Sequence, residues 1–548
     1  MRITKFGSPP PRPRSEATVL IVEPRGLVLN RAPTNLVPGE TPFTENFFIR
    51  EGGIRPRPTL SQHTTNSNPY SGAVLGGTEV VSSTGTRFDL TSGRTRWAWY
   101  SAGSYSLLSF VNSGGGNAAP SAFTNDRVNY VQVYAPTVDD MIAIGSYTSS
   151  YQTLFCWRSG ATIFSQMTEA PKARWVAAAD NFVLAANVQD SSGSKYIQRV
   201  QWSHRGDPFV WTPVPNKLAG FEDLLDAKGE IRRIIAEDNG RVIIFFDEEI
   251  WAGYRGNFPS TWQFAPLDRT VGCPYGMTVA MTPRGIMFMA RDLMPYLLPK
   301  GGAQAQPIGL EVHPYLRANV VNPEISFGLY DPVTQQYQLY YVAKGEAASA
   351  ARRGAWLNLF NGQWSHQHWQ RAPAKDLACG WVGALATGQA GLTWSDLSGV
   401  YTWSTLPFTW GEMAPITNYQ NQVVHLGGSE GTIWYLNSVG TNDDGTERYA
   451  RWRSSALGGE TPERVKMVNA FRVDYRADVA STISVAMSRD AGETFDSEQT
   501  VALQQSVGQM DAVAYPYSAG RFPMFEVRTT GSAFDLLRFW LAARIGGR

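Results

Sequence analysis

Cysteine is scarce in this 548-residue chain: Cys156, Cys273 and Cys379 stand more than a hundred positions apart. That spacing matches no CxxC pair and no secreted disulfide framework, which argues against structural zinc and against a stapled scaffold. Long apolar runs are missing as well. No segment approaches the 18 apolar residues of a membrane helix, and the run at positions 19–22 is too short for a secretory core. The expectation is a soluble protein, without membrane insertion, made in a reducing cytoplasm. A charge of one sign is also absent. Forty-eight Lys and Arg against 47 Asp and Glu leave a formal charge of +1, so no global field favours a tight grip on nucleic acid or a membrane surface.

What the chain has is aromatic residues and turn formers. Eighteen Trp, 23 Tyr and 26 Phe stand among 52 Gly and 33 Pro, the composition of short aromatic strands between tight turns, hence a mainly β fold. "GRVIIFFDEEIWAGYRG", "RGIMFMARDLMPYLLPKGG" and "YDPVTQQYQLYYVAKG" each set an apolar strand beside a polar or Gly-containing turn. Two of these units match at an offset of 44 residues: Ile243, Ile244, Phe245 and Phe246 fall on Met287, Phe288, Met289 and Ala290. A spacing of roughly 40 to 50 residues is that of a four-stranded propeller blade, with a series of sandwiches as the alternative. The organisation expected is an N-terminal arm over 1–70, a β-propeller over 71–455 and a C-terminal β platform over 456–548 that closes against the arm. One short helix is expected in "GFEDLLDAKGE", where Phe221, Leu224 and Leu225 share a helical face before Gly229.

Motifs that could carry chemistry are few. "VQWSHRGDPFVW" contains an Arg-Gly-Asp tripeptide, but Gly206, Asp207 and Pro208 are turn residues between two aromatic strands, and a turn is the expectation. "SRDAGETF", starting at Ser488, fits the Asp-box pattern, a hairpin tip in which Asp490 caps the turn, Gly492 takes a left-handed conformation and Phe495 packs inward. Sialidases carry this box, so a glycan-binding or glycan-cleaving propeller is an alternative function, although the box itself is structural. Glycoside hydrolysis needs two convergent carboxylates, or a Tyr nucleophile with an acidic partner, and no pair stands out; Asp247, Glu248 and Glu249 suit a solvated turn. His366 and His368 would share a strand face without a third metal ligand. "TNDDGTE" lacks calcium-loop spacing and suits a type I or I′ turn, while "GGSEG" precedes a strand and lacks a nucleophile-elbow setting. No catalytic residue, cofactor or metal is expected.

Several patches, taken in order, resemble the tail nozzle proteins of short-tailed bacteriophages, also called tail tubular protein B. "LVPGETPFTENFFIREGGIRPRPT" resembles the family's opening through Asn46, Phe47, Arg57 and Pro58. "VQWSHRGDPFVWTP" resembles its W-S-x-x-G-D-P-x-x-W segment through Trp202, Ser203, Gly206, Asp207, Pro208 and Trp211. "GEIRRIIAEDNGRVIIFFDEEIW", a stretch with Val271, Gly272 and Cys273, and "VAMSRDAGETF" follow. Two positions depart from the pattern: Asp292 is followed by Leu293 where Gly is expected, and the Arg-Pro pair by Thr59 rather than Gly. The resemblance implies a β-propeller with a platform, a homo-hexameric ring below an adaptor ring in the virion, and tail fibres or spikes on its outside. Genomic double-stranded DNA would pass through the ring unread.

Overall fold

In the computed structural model the described residues are 16–62, 72–83, 87–93, 97–101, 104–111, 126–159, 161–214, 217–256, 261–346, 351–369, 376–384, 422–438, 440–457, 464–506, 508–531 and 533–545. The chain divides into two compact units. One gathers residues 1–58, 363–367 and 447–548; the other holds 59–362 and 368–446. These divisions fall at 58/59 and 446/447, beside the expected 70/71 and 455/456.

The larger unit is a succession of antiparallel sheets. The first has Val74–Val81, Arg87–Gly93, Trp97–Ser101 and Ser104–Val111; the second Val128–Ala135, Asp140–Tyr147, Phe155–Arg158 and Ile163–Gln166. A third comprises Lys172–Ala179, Phe182–Gln189, Lys195–Trp202 and Gly220–Asp223, and a fourth Ile231–Ala236, Val242–Phe246, Ile250–Arg255 and Trp262–Asp268. Ala280–Thr282, Gly285–Met289, Pro295–Pro299 and Gln306–Pro307 make the fifth, and Phe327–Asp331, Gln336–Ala343 and Arg353–Asn358 belong to the sixth. In each, strands adjacent in sequence pair with one another, as short strands joined by tight turns must.

First strands of successive sheets lie side by side. The 3-10 turn Gly276–Thr278 bridges the fourth sheet to the sixth, ahead of the fifth. Leu377–Ala384, which opens the seventh sheet, packs back on Val74–Val81 and completes a ring. The seventh sheet continues with Gln422–Gly428 and Ile433–Asn437, and its outer strand is Thr59–Gln62, from the opposite end of the unit, with Leu60 opposite Leu436. This is a β-propeller, with seven blades among the described residues, closed by a strand borrowed across the sequence. The outer strands of blades one and two also join in parallel, Phe164 opposite Phe110.

Apolar clusters hold blade to blade. Val242, Ile244 and Phe246 face blade three, among Trp175, Leu184 and Trp202; Ile286, Phe288 and Ala290 face blade four, among Ile243 and Phe245. Residues 44 apart thus occupy equivalent faces of successive blades, so the sequence offset is one blade.

The smaller unit is a sandwich. One sheet runs through Phe47–Arg50, Gly53–Pro56, Phe534–Ile545, Lys466–Ala477 and Met510–Ala514, with Glu16–Val22 also on Phe534–Ile545. The other runs Thr44–Glu45, Ala450–Arg453, Met524–Thr529, Ser481–Ser488 and Gln499–Leu503. Ile483, Val485 and Met487 point into the core with Phe471, Phe525 and Phe539, as their alternation with the smaller Ser484 and Ala486 requires. Both chain ends therefore build one platform. Within it Arg57 is fully buried; its Nε donates to Asn46 Oδ1 at 2.9 Å, and Asn46, at φ +61°, donates to the Tyr449 carbonyl at 2.7 Å.

The helix expected near Phe221 is not formed. Gly220–Asp223 is instead the outer strand of blade three, with Phe221 and Leu225 exposed and only Leu224 buried. Cross-strand bonding decides it: Arg199 holds Asp223 at 2.7 Å and lies over both Tyr196 and Phe221. Among the described residues the one α-helix is His313–Asn319, and no helix is long and apolar enough to cross a membrane.

Candidate functional site

Polar residues collect on one rim of the propeller, where innermost strands begin and their neighbours end. Arg127, just before blade two's first strand, donates to the carbonyls of Ile325 and Ser326, just before blade six's first strand. Blades two and six are not neighbours, so this side chain crosses the ring interior. The guanidinium also lies 5.5 Å from the centre of the Phe327 ring. Burial lowers its pKa to about 10, which leaves it charged at neutral pH.

Beside it, blades three and four share an ionic network. Glu230 accepts from Arg174 at 2.8 Å, from Arg232 at 2.6 Å and from the Asn187 amide at 3.1 Å. Arg232 also binds Asp247 at 2.7 Å, and Asp247 accepts the Glu230 N–H at 2.9 Å. Asn187 is buried at a β-bulge with φ +57° and accepts the Tyr151 hydroxyl. Burial raises the Tyr151 pKa, with Arg174 pulling the other way, so the phenol stays protonated and is a weak nucleophile. Asp126 accepts the N–H groups of Ser149 and Ser150. These carboxylates are held by arginines and backbone donors, an arrangement that suits rigidity better than proton transfer.

The residues singled out in the sequence lie elsewhere. Gly206 takes φ +72°, Asp207 accepts the Phe209 N–H at 3.0 Å, and the Pro208 carbonyl accepts the buried Trp211 indole at 2.7 Å. Arg205 is half-exposed and bound to Asp180. The Asp-box turn belongs to the sandwich, not to a blade. Ser488 Oγ donates to Asp490 and accepts the Gly492 N–H at 2.8 Å, Asp490 accepts the Thr494 N–H at 2.9 Å, and Gly492 has φ +93°. Phe495 does not reach the core. It is half-buried, with the Arg453 guanidinium 4.9 Å from its ring centre.

Of the 247–249 turn only Glu248 is solvated, in an exposed pair with Arg291. Glu249 is buried, accepting the Lys228 N–H at 2.7 Å and the Trp251 indole at 2.9 Å. The expected solvated turn is thus a structural anchor, because two of its carboxylates satisfy donors that the bend would otherwise strand. His366 and His368 lie on one strand, and no group of metal-binding side chains occurs among the described residues. Asp444 and Gly445, at φ +50° and +81°, form the I′-like tip of "TNDDGTE". "GGSEG" is the turn between Gln422–Gly428 and Ile433–Asn437. Burial pushes all three thiols up to about 12.

Sequence reasoning missed the rim residues Arg127, Arg174, Glu230 and Arg232. A weak signal exists: each lies within three positions of the start of an apolar innermost strand.

No family model and no curated protein matches the chain. Among solved structures it is similar to an ancestral GH74 enzyme, with TM-score 0.38 and 10% identity over 85% of this chain and 55% of that one. YCF48 from Cyanidioschyzon merolae gives 0.37 and 10%, over 69% and 99%. The extracellular domain of a one-component system protein from B. thetaiotaomicron gives 0.38 and 8%, over 70% of this chain and only 40% of that one. None of these three is a tail protein.

Proposed function

We propose that this chain is a structural virion protein, the nozzle of a short phage tail, whose copies form a ring that closes the head-tail channel and conducts DNA during ejection. The observation that carries the reading is the architecture: a propeller inserted between two chain ends that together build one sandwich platform. That is the arrangement the resemblance implies, and the Asn46–Arg57 pair at its opening is the buried knot of the platform. Two further features support a wall. The propeller rim engages its carboxylates in mutual ion pairs, and the near-neutral chain avoids the salt-dependent grip that many phosphate contacts produce.

A glycan-binding or glycan-cleaving propeller is the second reading. The Asp-box turn speaks for it, and the ancestral GH74 enzyme among the similar structures points the same way rather than to a tail. That similarity is too low to transfer an activity, and the box lies outside the propeller.

Virions assembled without the protein decide between them. They should package DNA but leak it or fail to deliver it, and the purified chain should show no sequence preference for duplex DNA. Stable, infectious particles lacking the chain would overturn the nozzle reading, and hydrolysis of a host polysaccharide by the purified chain would establish the second.

A further inference from the structure

Glu16–Val22 is an edge strand of the platform. One side pairs with Phe534–Ile545, from Glu16 opposite Ile545 to Val22 opposite Phe539, and no other strand among the described residues pairs with it. Its outward N–H and C=O groups therefore form an open ladder. Residues 17–22, "ATVLIV", carry neither charge nor proline, the usual guards of such an edge, and Val19 and Ile21 are 59% and 49% exposed.

A cavity of about 670 Å³ lies along this strand and touches Leu20, Ile21 and Val22 in succession. Successive side chains of a strand point to opposite faces, so a cavity that meets all three lies beside the strand rather than over one face. The side toward Phe534–Ile545 is filled, which leaves the open ladder. Leu36, Leu457 and Phe522 form the far wall, and Val22, Leu36 and Leu457 are buried, so the lining is largely apolar. The result is a slot with a strand edge on one side and an apolar wall on the other. Backbone bonds along an edge and a pocket for alternate side chains are what hold an added strand. The wall also selects the occupant: a strand that already carries a neighbour on its other side would meet Leu36 and Leu457, so the slot fits a lone strand from a tail.

We propose that this slot receives residues 1–6, "MRITKF", of a second copy of the chain as an added strand. Residues 1–15 lie outside the described residues, and their sequence suits the role. In an extended strand Met1 and Ile3 share one face, which would enter the cavity, while Arg2 and Thr4 share the other, toward water. The spacer "GSPPPRPRS" has prolines at 9, 10, 11 and 13, which donate no backbone bond and hold it extended. At the polyproline rise its nine residues reach about 28 Å, which favours delivery to a neighbouring copy over a return to the chain's own slot. The proposal goes beyond the nozzle reading and needs only the folded platform.

The test is binding of a fluorescein-labelled peptide of residues 1–8, "MRITKFGS", to the chain lacking residues 1–6, followed by fluorescence anisotropy. Saturable binding is expected. Ile3→Asp in the peptide should weaken it by about tenfold or more, since a buried apolar anchor is replaced by a charge. Ile21→Lys in the chain, which guards the edge at an exposed position, should weaken it similarly, while Val513→Lys, exposed on another strand of the same sheet, should match the parent. A full-length chain carrying both Ile3→Cys and Thr34→Cys, mildly oxidised with glutathione disulfide, should form bonds between chains. Absence of saturable binding, equal binding of the Ile3→Asp peptide, or cross-links confined within single chains overturns the proposal. Should Ile21→Lys fail to fold, the peptide variant and the cross-link still decide it.

Discussion

Arg127 Nη1 lies 3.2 Å from the carbonyl oxygen of Ser326, a residue 199 positions away and on a non-adjacent blade. The side chain therefore ties the propeller across its own interior, where inter-blade packing alone cannot. Arg127→Met should cost about 2–3 kcal/mol, the usual size of lost hydrogen bonds from a charged donor to buried acceptors. Urea unfolding checks it; a midpoint unchanged from wild type would show that the tie contributes no stability.

Leu293 adopts φ +66°, the left-handed region that favours glycine. Its N–H closes the turn on the Ala290 carbonyl at 3.0 Å, so the conformation is held despite the Cβ. Leu293→Gly should stabilise the protein by about 1 kcal/mol, because an L-residue pays a steric penalty there that glycine does not. Loss of stability in this variant would mean that the half-buried Leu293 side chain contributes more by packing than the strain costs.

Asp490 is held well below the ordinary carboxylate range by its bonds to Thr494 and Ser488. A depressed pKa in the folded state stabilises it above the unfolded value, about 3.9, and the contribution is lost as pH falls below that value. Asp490→Ala should lower Tm at pH 6, and the gap from wild type should shrink toward pH 2. A gap that stays constant with pH would assign the effect to turn geometry instead.

Leu60 is 1% exposed on the strand that completes blade seven, and its N–H donates to Asp443 at 3.0 Å. Leu60→Ala should destabilise by about 2–4 kcal/mol, as for other buried leucines. Because this strand closes the ring, amide exchange should quicken at both Ile433–Asn437 and Val74–Val81. Quickening confined to residues next to Leu60 would mean that the ring stays shut without it.

What the sequence by itself determined was local. The alternation of Ile483, Val485 and Met487 with the smaller Ser484 and Ala486 and the turn chemistry around Gly206 and Gly492 depend on residues a few positions apart, and the 44-residue offset repeats such a local pattern from blade four to blade five. Antiparallel neighbours joined by tight turns need no distant partner, so such patterns survive in the linear text. The helical spacing of Phe221, Leu224 and Leu225 misled because the same residues also suit an outer strand, and only Arg199, a residue of the neighbouring strand, settles which forms. The tertiary structure alone decided the closure of the ring by Thr59–Gln62, the crossing of Arg127 to Ser326, the pairing of Glu230 with Arg174, and the stacking of Arg233 over Trp175. Those contacts join residues from tens to hundreds of positions apart. Their energy comes from burial and charge pairing between elements, and no periodicity of a single segment records which distant element will arrive.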